Sequence, residues 1–350
     1  MLVAELAGLR EFHLVERELP DPGPGEVQVR VAAIGICGSD MHSYAEGAVG
    51  DTPCSYPMVL GHEPSGTVVK TGAGVSGLLR GNLAALEPAL YCYHCEFCLS
   101  GHHNVCANLR FLSSPQDPGF FREFVNLPAR NLIPLPPGIG LAEATLIEPL
   151  AVVLHSLGFL ASERVDTAAV FGAGPIGLLT AAALKLAGAS RVWAIDPVAH
   201  RLEMAKAIGA DAVIDPGAPG APFEADPVRQ IMADTGNRGV DVALDCAAKD
   251  DSLNQCVGVL RHGGRLVLTG IPAYLRANLD IHSMRRKEIT LFSVRRSNHE
   301  SEIARDMLRE HGARFAGVIT HRRPLDRIGE AFTMVEHYSD GAGKVLIEPA

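Results

Sequence analysis

Ala168-Ala169-Val170-Phe171-Gly172-Ala173-Gly174-Pro175-Ile176-Gly177 sets four apolar positions directly ahead of G-x-G-x-x-G, and a helical run follows from Ile176 to Leu186. The glycine spacing alone is a weak signal. Between a strand and a helix it is a strong one, because each glycine then answers a separate steric need. Gly172 permits the tight turn, Gly174 lets the backbone approach a pyrophosphate, and Gly177 lets helix and strand pack closely. The helix N-terminus, opened by Pro175 and Ile176, supplies amide hydrogens and a positive dipole to the phosphates. Asp196 closes the next strand-like run, Arg191 to Ile195. A carboxylate there accepts hydrogen bonds from an adenosine ribose and repels a 2′-phosphate, so NAD is expected over NADP. Arg201 is the one nearby residue that would soften this preference.

Working outward, a helix is expected through Arg201 to Lys206, and strands at Ala212–Ile214, Val240–Leu244, Arg265–Leu268 and Glu288–Val294. Strands alternating with helices over short loops imply a parallel sheet covered on both faces. This is a doubly wound Rossmann arrangement, assigned to residues 150–293. The N-terminal part reads differently. Glu26 to Val31 alternates with period two after a Pro/Gly-rich turn, and Gly66 to Lys70 is another short β-prone run. The tail is too short to be a domain and is expected to rejoin the first part, giving a β-rich domain over 1–149 and 294–350.

At 350 residues two domains are the natural expectation. The formal charge of −9 with no basic block argues against nucleic acid and anionic membranes as partners. Ala168 to Ala189 is nearly apolar, but Lys185 and the glycine turn make it a poor membrane span. The N-terminus lacks the basic flank and apolar stretch of a signal peptide, so a cytoplasmic protein is expected.

Four of the eight cysteines, Cys92, Cys95, Cys98 and Cys106, form C-x2-C-x2-C-x7-C within a lobe at about residues 90–108. That spacing closes four thiolates around one tetrahedral ion, most often zinc, and leaves no vacancy for substrate. This zinc is therefore expected to be structural. Three other clusters hold metal-type donors: Cys37-Gly38-Ser39-Asp40-Met41-His42, Gly61-His62-Glu63 and Ile147-Glu148-Pro149. Together they offer a thiolate, an imidazole and two carboxylates, enough for a second zinc with an open position.

With these blocks quoted, the chain resembles the zinc-dependent medium-chain dehydrogenase/reductase superfamily over nearly its whole length, and within it the sorbitol (polyol) dehydrogenases. The resemblance implies a GroES-like β domain plus a Rossmann domain with a cleft between them, two zinc ions per chain, NAD, and a homotetramer or homodimer. It implies that Cys37 and His62 bind the catalytic zinc, that Glu63 and Glu148 complete the site directly or through water, and that Asp40 orients the imidazole. Ser39 and His42 match the proton-relay positions. Arg295, in Leu291-Phe292-Ser293-Val294-Arg295-Arg296-Ser297-Asn298, falls on the arginine that contacts sugar-alcohol hydroxyls; Arg296 stands where a tyrosine is usual. Tyr44, Phe111, Phe120 and Phe121 are either pocket or core residues. The expected reaction is oxidation of a secondary alcohol of the sorbitol, xylitol or galactitol type, with hydride passing to NAD. Alternatives are an L-threonine 3-dehydrogenase type of activity and, more remotely, a non-catalytic NAD-binding regulator.

Overall fold

The computed structural model describes residues 1–161, 164–217 and 226–349. The chain forms two compact units, one of residues 1–151, 297–312 and 319–350, the other of residues 152–296 and 313–318.

The first unit is organised by the strand Glu26–Gly35, whose valines at 27, 29 and 31 and Ile34 are all fully buried. Glu26–Gly35 pairs antiparallel with Glu63–Thr71, with Phe124–Pro128, and at its C-terminal end with Lys344–Glu348. Register shifts between Gln28 and Val29, and between Val31 and Ala33, bend it enough to serve three neighbours. Gly66 sits where a Cβ would strike the Arg30 carbonyl, so only glycine allows this close pairing. Most of the tail lies in this unit, but residues 294–296 and 313–318, expected here, belong to the other. Lys344–Glu348 lies inside the sheet, between Glu26–Gly35 and Ile319–Pro324. Tyr44, Phe120 and Phe121 belong to the core with Leu6, Leu60 and Phe332. The exposed turn at Asn82, where the side chain accepts from the Leu79 amide at 2.8 Å, is a structural cap.

The second unit carries a six-stranded parallel sheet in the order Ala212–Ile214, Arg191–Ile195, Thr167–Phe171, Val240–Asp245, Leu260–Leu268, Thr290–Ser293. The order reverses at Thr167–Phe171, which places the glycine turn at the topological switch point, outside the carboxyl ends of the strands. Two expectations shift in detail. The fifth strand begins at Leu260 rather than Arg265, because Leu260 pairs with Val240 across an irregular step. Glu288 is outside the last strand: it sits in the left-handed conformation (φ 53°) as the C-cap of helix Ile281–Lys287. Among the described residues, no helix is long and apolar enough to cross a membrane.

Candidate functional site

Strand register builds the first cluster. Gly35 is paired with Glu63, so the residues that follow one strand, Ile36 and Cys37, lie beside those that begin its antiparallel neighbour, His62 and Glu63. A Cβ on Gly35 would take the place of Glu63 Oε2, so a larger residue there would displace this carboxylate. Cys37, His62 and Glu63 each offer a ligand atom, and these atoms all lie within 4.8 Å of one another. Cys37 also caps the helix Gly38–Ala45, and the Asp40 carboxylate folds back to accept from the Cys37 amide at 3.0 Å.

Asp40 is almost wholly buried and is encircled by donors: the Cys37 amide, the Gly61 amide at 3.2 Å and the Ser113 hydroxyl at 3.3 Å. Its Oδ1 faces His62 Nδ1 at 3.4 Å. Burial opposes the Asp40 charge, but His62 and the two amides outweigh it and hold its carboxyl below the usual range. Burial likewise opposes a charged His62, yet Asp40 and Cys37 overcome it and raise the imidazole well above an ordinary histidine. Nδ1 is turned toward Asp40, and on the other side of the ring Ser39 Oγ lies 3.4 Å from Nε2. Phe111 packs its ring 5.4 Å from the imidazole. His42 Nδ1 meets Glu46 at 3.0 Å.

Glu63 has a partner that sequence reasoning missed. Lys344 Nζ donates to both its oxygens at 2.7 and 2.6 Å, and to the Ile36 carbonyl at 3.0 Å, with both side chains buried. Burial disfavours the Lys344 charge, but Glu63 and then Cys37 raise its pKa overall. The available signal was a lone lysine heading the apolar run Val345-Leu346-Ile347. Glu148, in the helix Ile147–Gly158, falls outside the tight three-residue cluster. It is near enough for its charge to feel the site. Desolvation comes first, then the competing fields of His62 and Glu63, and its pKa is raised to about 8.

The second cluster is made within one lobe. Cys92, Cys95, Cys98 and Cys106 bring their sulfurs within 4.8 Å of one another with no disulfide among them. Backbone amides point at sulfur, Cys95 N at 3.4 Å from Cys92 Sγ and Cys92 N at 3.5 Å from Cys106 Sγ. The backbone at His94 leads in lowering Cys92 to about 5, while desolvation pushes Cys98 up to about 12. Four free cysteine sulfurs converging on one point form an all-sulfur donor set that fits zinc. The other set, one thiol, one oriented imidazole and one carboxylate, fits a zinc with an open position.

In the second unit, Gly172 takes φ 94° and packs on Ala247, and a Cβ on Gly177 would strike the Gly172 carbonyl. Gly174 differs: its added Cβ would meet only Arg201, at 3.7 Å. Protein packing does not demand glycine there, and the space it leaves at the N-cap of helix Pro175–Leu186 fits a pyrophosphate. Asp196 accepts from the Ala173 amide at 2.7 Å and the Val198 amide at 2.8 Å, with Arg201 at 3.8 Å. Its carboxylate therefore also shapes the turn. Arg295 is exposed just beyond the strand Thr290–Ser293, and Arg296 takes φ 54°.

Residues 23–137 match the alcohol dehydrogenase GroES-like domain, and residues 175–311 match the zinc-binding dehydrogenase domain. The chain is 30% identical to a sorbitol dehydrogenase of Bacillus subtilis (strain 168) over 349 residues, covering 100% of this chain and 97% of that protein. A crystal structure of a short chain alcohol dehydrogenase of Escherichia coli CFT073 with NADH superposes with a TM-score of 0.88 at 29% identity, covering 100% and 99% of the two chains. A putative zinc-binding dehydrogenase of Sinorhizobium meliloti 1021 bound to NADP gives 0.88 at 26% identity, covering 99% of each.

Proposed function

Because the chain belongs to the zinc-dependent medium-chain dehydrogenase/reductase superfamily, we propose that it interconverts a sugar alcohol or related secondary alcohol and its ketone by hydride transfer. The observation that carries this reading is the strand register that brings Cys37, His62 and Glu63 within one ion's reach, with Asp40 behind the imidazole. Cys37 and His62 hold the catalytic zinc, and Glu63 and Glu148 complete its surroundings. When bound there, zinc acts as a Lewis acid that makes the substrate hydroxyl more acidic. Gly172, Gly174, Pro175, Ile176 and Gly177 would seat NAD, with Asp196 and Arg201 toward its ribose, and NAD would supply the hydride acceptor.

The chain's own residues do the rest. Asp40, facing His62 Nδ1, would orient the imidazole so that Nε2 could hold the metal. Lys344 holds the Glu63 carboxylate by both oxygens, so its charge is balanced without being spent on the site. Ser39 takes the hydroxyl proton and His42, whose Nδ1 lies 3.0 Å from Glu46, passes it toward solvent. Arg295 donates to the substrate's further hydroxyls, a role that suits a guanidinium with five N–H groups. The four-cysteine zinc is structural. The protein works as a homotetramer or homodimer in the cytoplasm. Asp196 favours NAD over NADP.

The test is a substrate panel of sorbitol, xylitol, galactitol and L-threonine with each nucleotide, run beside metal content per chain. Turnover of a polyol with NAD and two zinc ions per chain is expected. Activity confined to L-threonine would defeat the polyol assignment, and one metal or none per chain would defeat the site.

A further inference from the structure

We infer that Ser113 is a positioning residue for the catalytic metal, acting through Asp40 on His62. Ser113 is one of the few non-glycine residues with a strongly positive φ, 98°. An L side chain is disfavoured there, and glycine would remove the strain at once. The strain is held by a well-tied turn. The Ser113 and Ser114 amides both donate to the Asp117 carbonyl, at 2.8 and 3.1 Å, the Asp117 amide returns a bond to the Ser114 carbonyl at 3.1 Å, and Arg110 Nε grips the Asp117 carboxylate at 2.8 Å. What the serine gains in return is one contact: its hydroxyl donates to Asp40 Oδ1 at 3.3 Å.

That oxygen is the one facing His62 Nδ1, and it also accepts from the Gly61 amide. The Ser113 hydroxyl therefore helps to hold Asp40 Oδ1 in its place opposite His62 Nδ1. Two residues earlier the same segment presents Phe111 to the imidazole ring. The turn from Arg110 to Asp117 thus supports His62 twice, by ring packing and through the carboxylate. A strained conformation that delivers a hydroxyl to the partner of a metal-binding histidine is where backbone strain serves function.

The inference rests on the reading of Cys37 and His62 as catalytic-zinc ligands, and the experiment separates the two. The zinc-loaded full chain is mixed with a chromogenic chelator, and zinc release is followed as two phases. Cys37→Ser identifies the catalytic phase by abolishing it; if both phases persist, the ligand reading fails and the inference with it. Ser113→Ala removes the hydroxyl and keeps the strain, whereas Ser113→Gly removes both. Release from the catalytic site is expected to quicken about tenfold in each variant, the low end for outer partners of a metal ligand. The four-cysteine phase should be unchanged, and Ser113→Gly should melt at or above the parent temperature. A merely structural serine would leave Ser113→Gly indistinguishable from the parent in release, and that result overturns the inference. Should Ser113→Ala not fold, Ser113→Gly decides alone.

Discussion

The four-cysteine lobe and the Cys37–His62–Glu63 centre gather metal donors in opposite ways. In the lobe all four donors lie within 15 consecutive residues, and local turns aim amides at the sulfurs. At the other centre the donors come from separate strands aligned by the Gly35–Glu63 register, and a lysine 281 positions further along the chain grips one of them. A local site is insensitive to how the sheet is closed. A site made by register depends on every strand that fixes it.

The largest expected effect follows from that dependence. Lys344→Met leaves the Glu63 carboxylate buried without its cation, which should destabilise the protein by about 3–5 kcal/mol. Adding Glu63→Gln should return most of the loss in a denaturant titration. In the lobe the amides that meet the sulfurs are local, so an unaffected midpoint for Lys344→Met would erase the contrast.

Cys37→Ser or His62→Ala should lower kcat by about 100–1,000-fold, as expected when stabilisation of developing negative charge is removed. NAD binding, followed by nucleotide fluorescence, should stay measurable. Steady-state rates near the parent's would refute the assignment of this cluster to catalysis.

Cys95→Ser should act the other way, on stability rather than turnover. Scanning calorimetry should show the melting temperature lower by about 5–10 °C, at about 2–4 °C per kcal/mol for units of this size. Metal analysis should find one zinc fewer per chain, with the remaining enzyme still turning over.

The smallest expected effect is a pH dependence that distinguishes metal-free from zinc-loaded protein. The His62 pKa in the folded chain lies above its unfolded value, burial being outweighed by Asp40 and Cys37. In chelator-treated protein the stability contributed by the charged imidazole is then full below about pH 6.5 and fades as pH rises through the raised folded value. In zinc-loaded protein, affinity at this centre should rise over the same interval, because proton and metal compete for Nε2. Melting curves across pH with and without chelator test this, and the His62→Ala variant should remove the difference.

Much of this was readable in advance because its signals are short-range. The G-x-G-x-x-G turn and the C-x2-C-x2-C-x7-C run are dictated by neighbours a few residues apart, and the alternating strands and helices around Thr167–Phe171 declare a parallel sheet. Cys37, His62 and Glu63 stand out as separate blocks, and Asp40 as a partner. Glu148 groups with the ligands by sequence, yet it stands outside the tight cluster, since it comes from a helix rather than from the paired strands. Lys344 and Ser113 give little warning. A lysine in an apolar run and a serine in a turn are ordinary until a sheet brings one to Glu63 and a strained backbone turns the other toward Asp40.

By itself, then, the sequence determined the two folding patterns, the sulfur cage and the glycine turn, because spacing along a chain fixes geometry over a turn or two. Tertiary structure alone decided which carboxylate joins Cys37 and His62, which lysine pairs with Glu63 and which hydroxyl donates to Asp40. Those contacts join residues tens to hundreds of positions apart. Their closeness is set by strand register and by burial that compels every charge to find a partner.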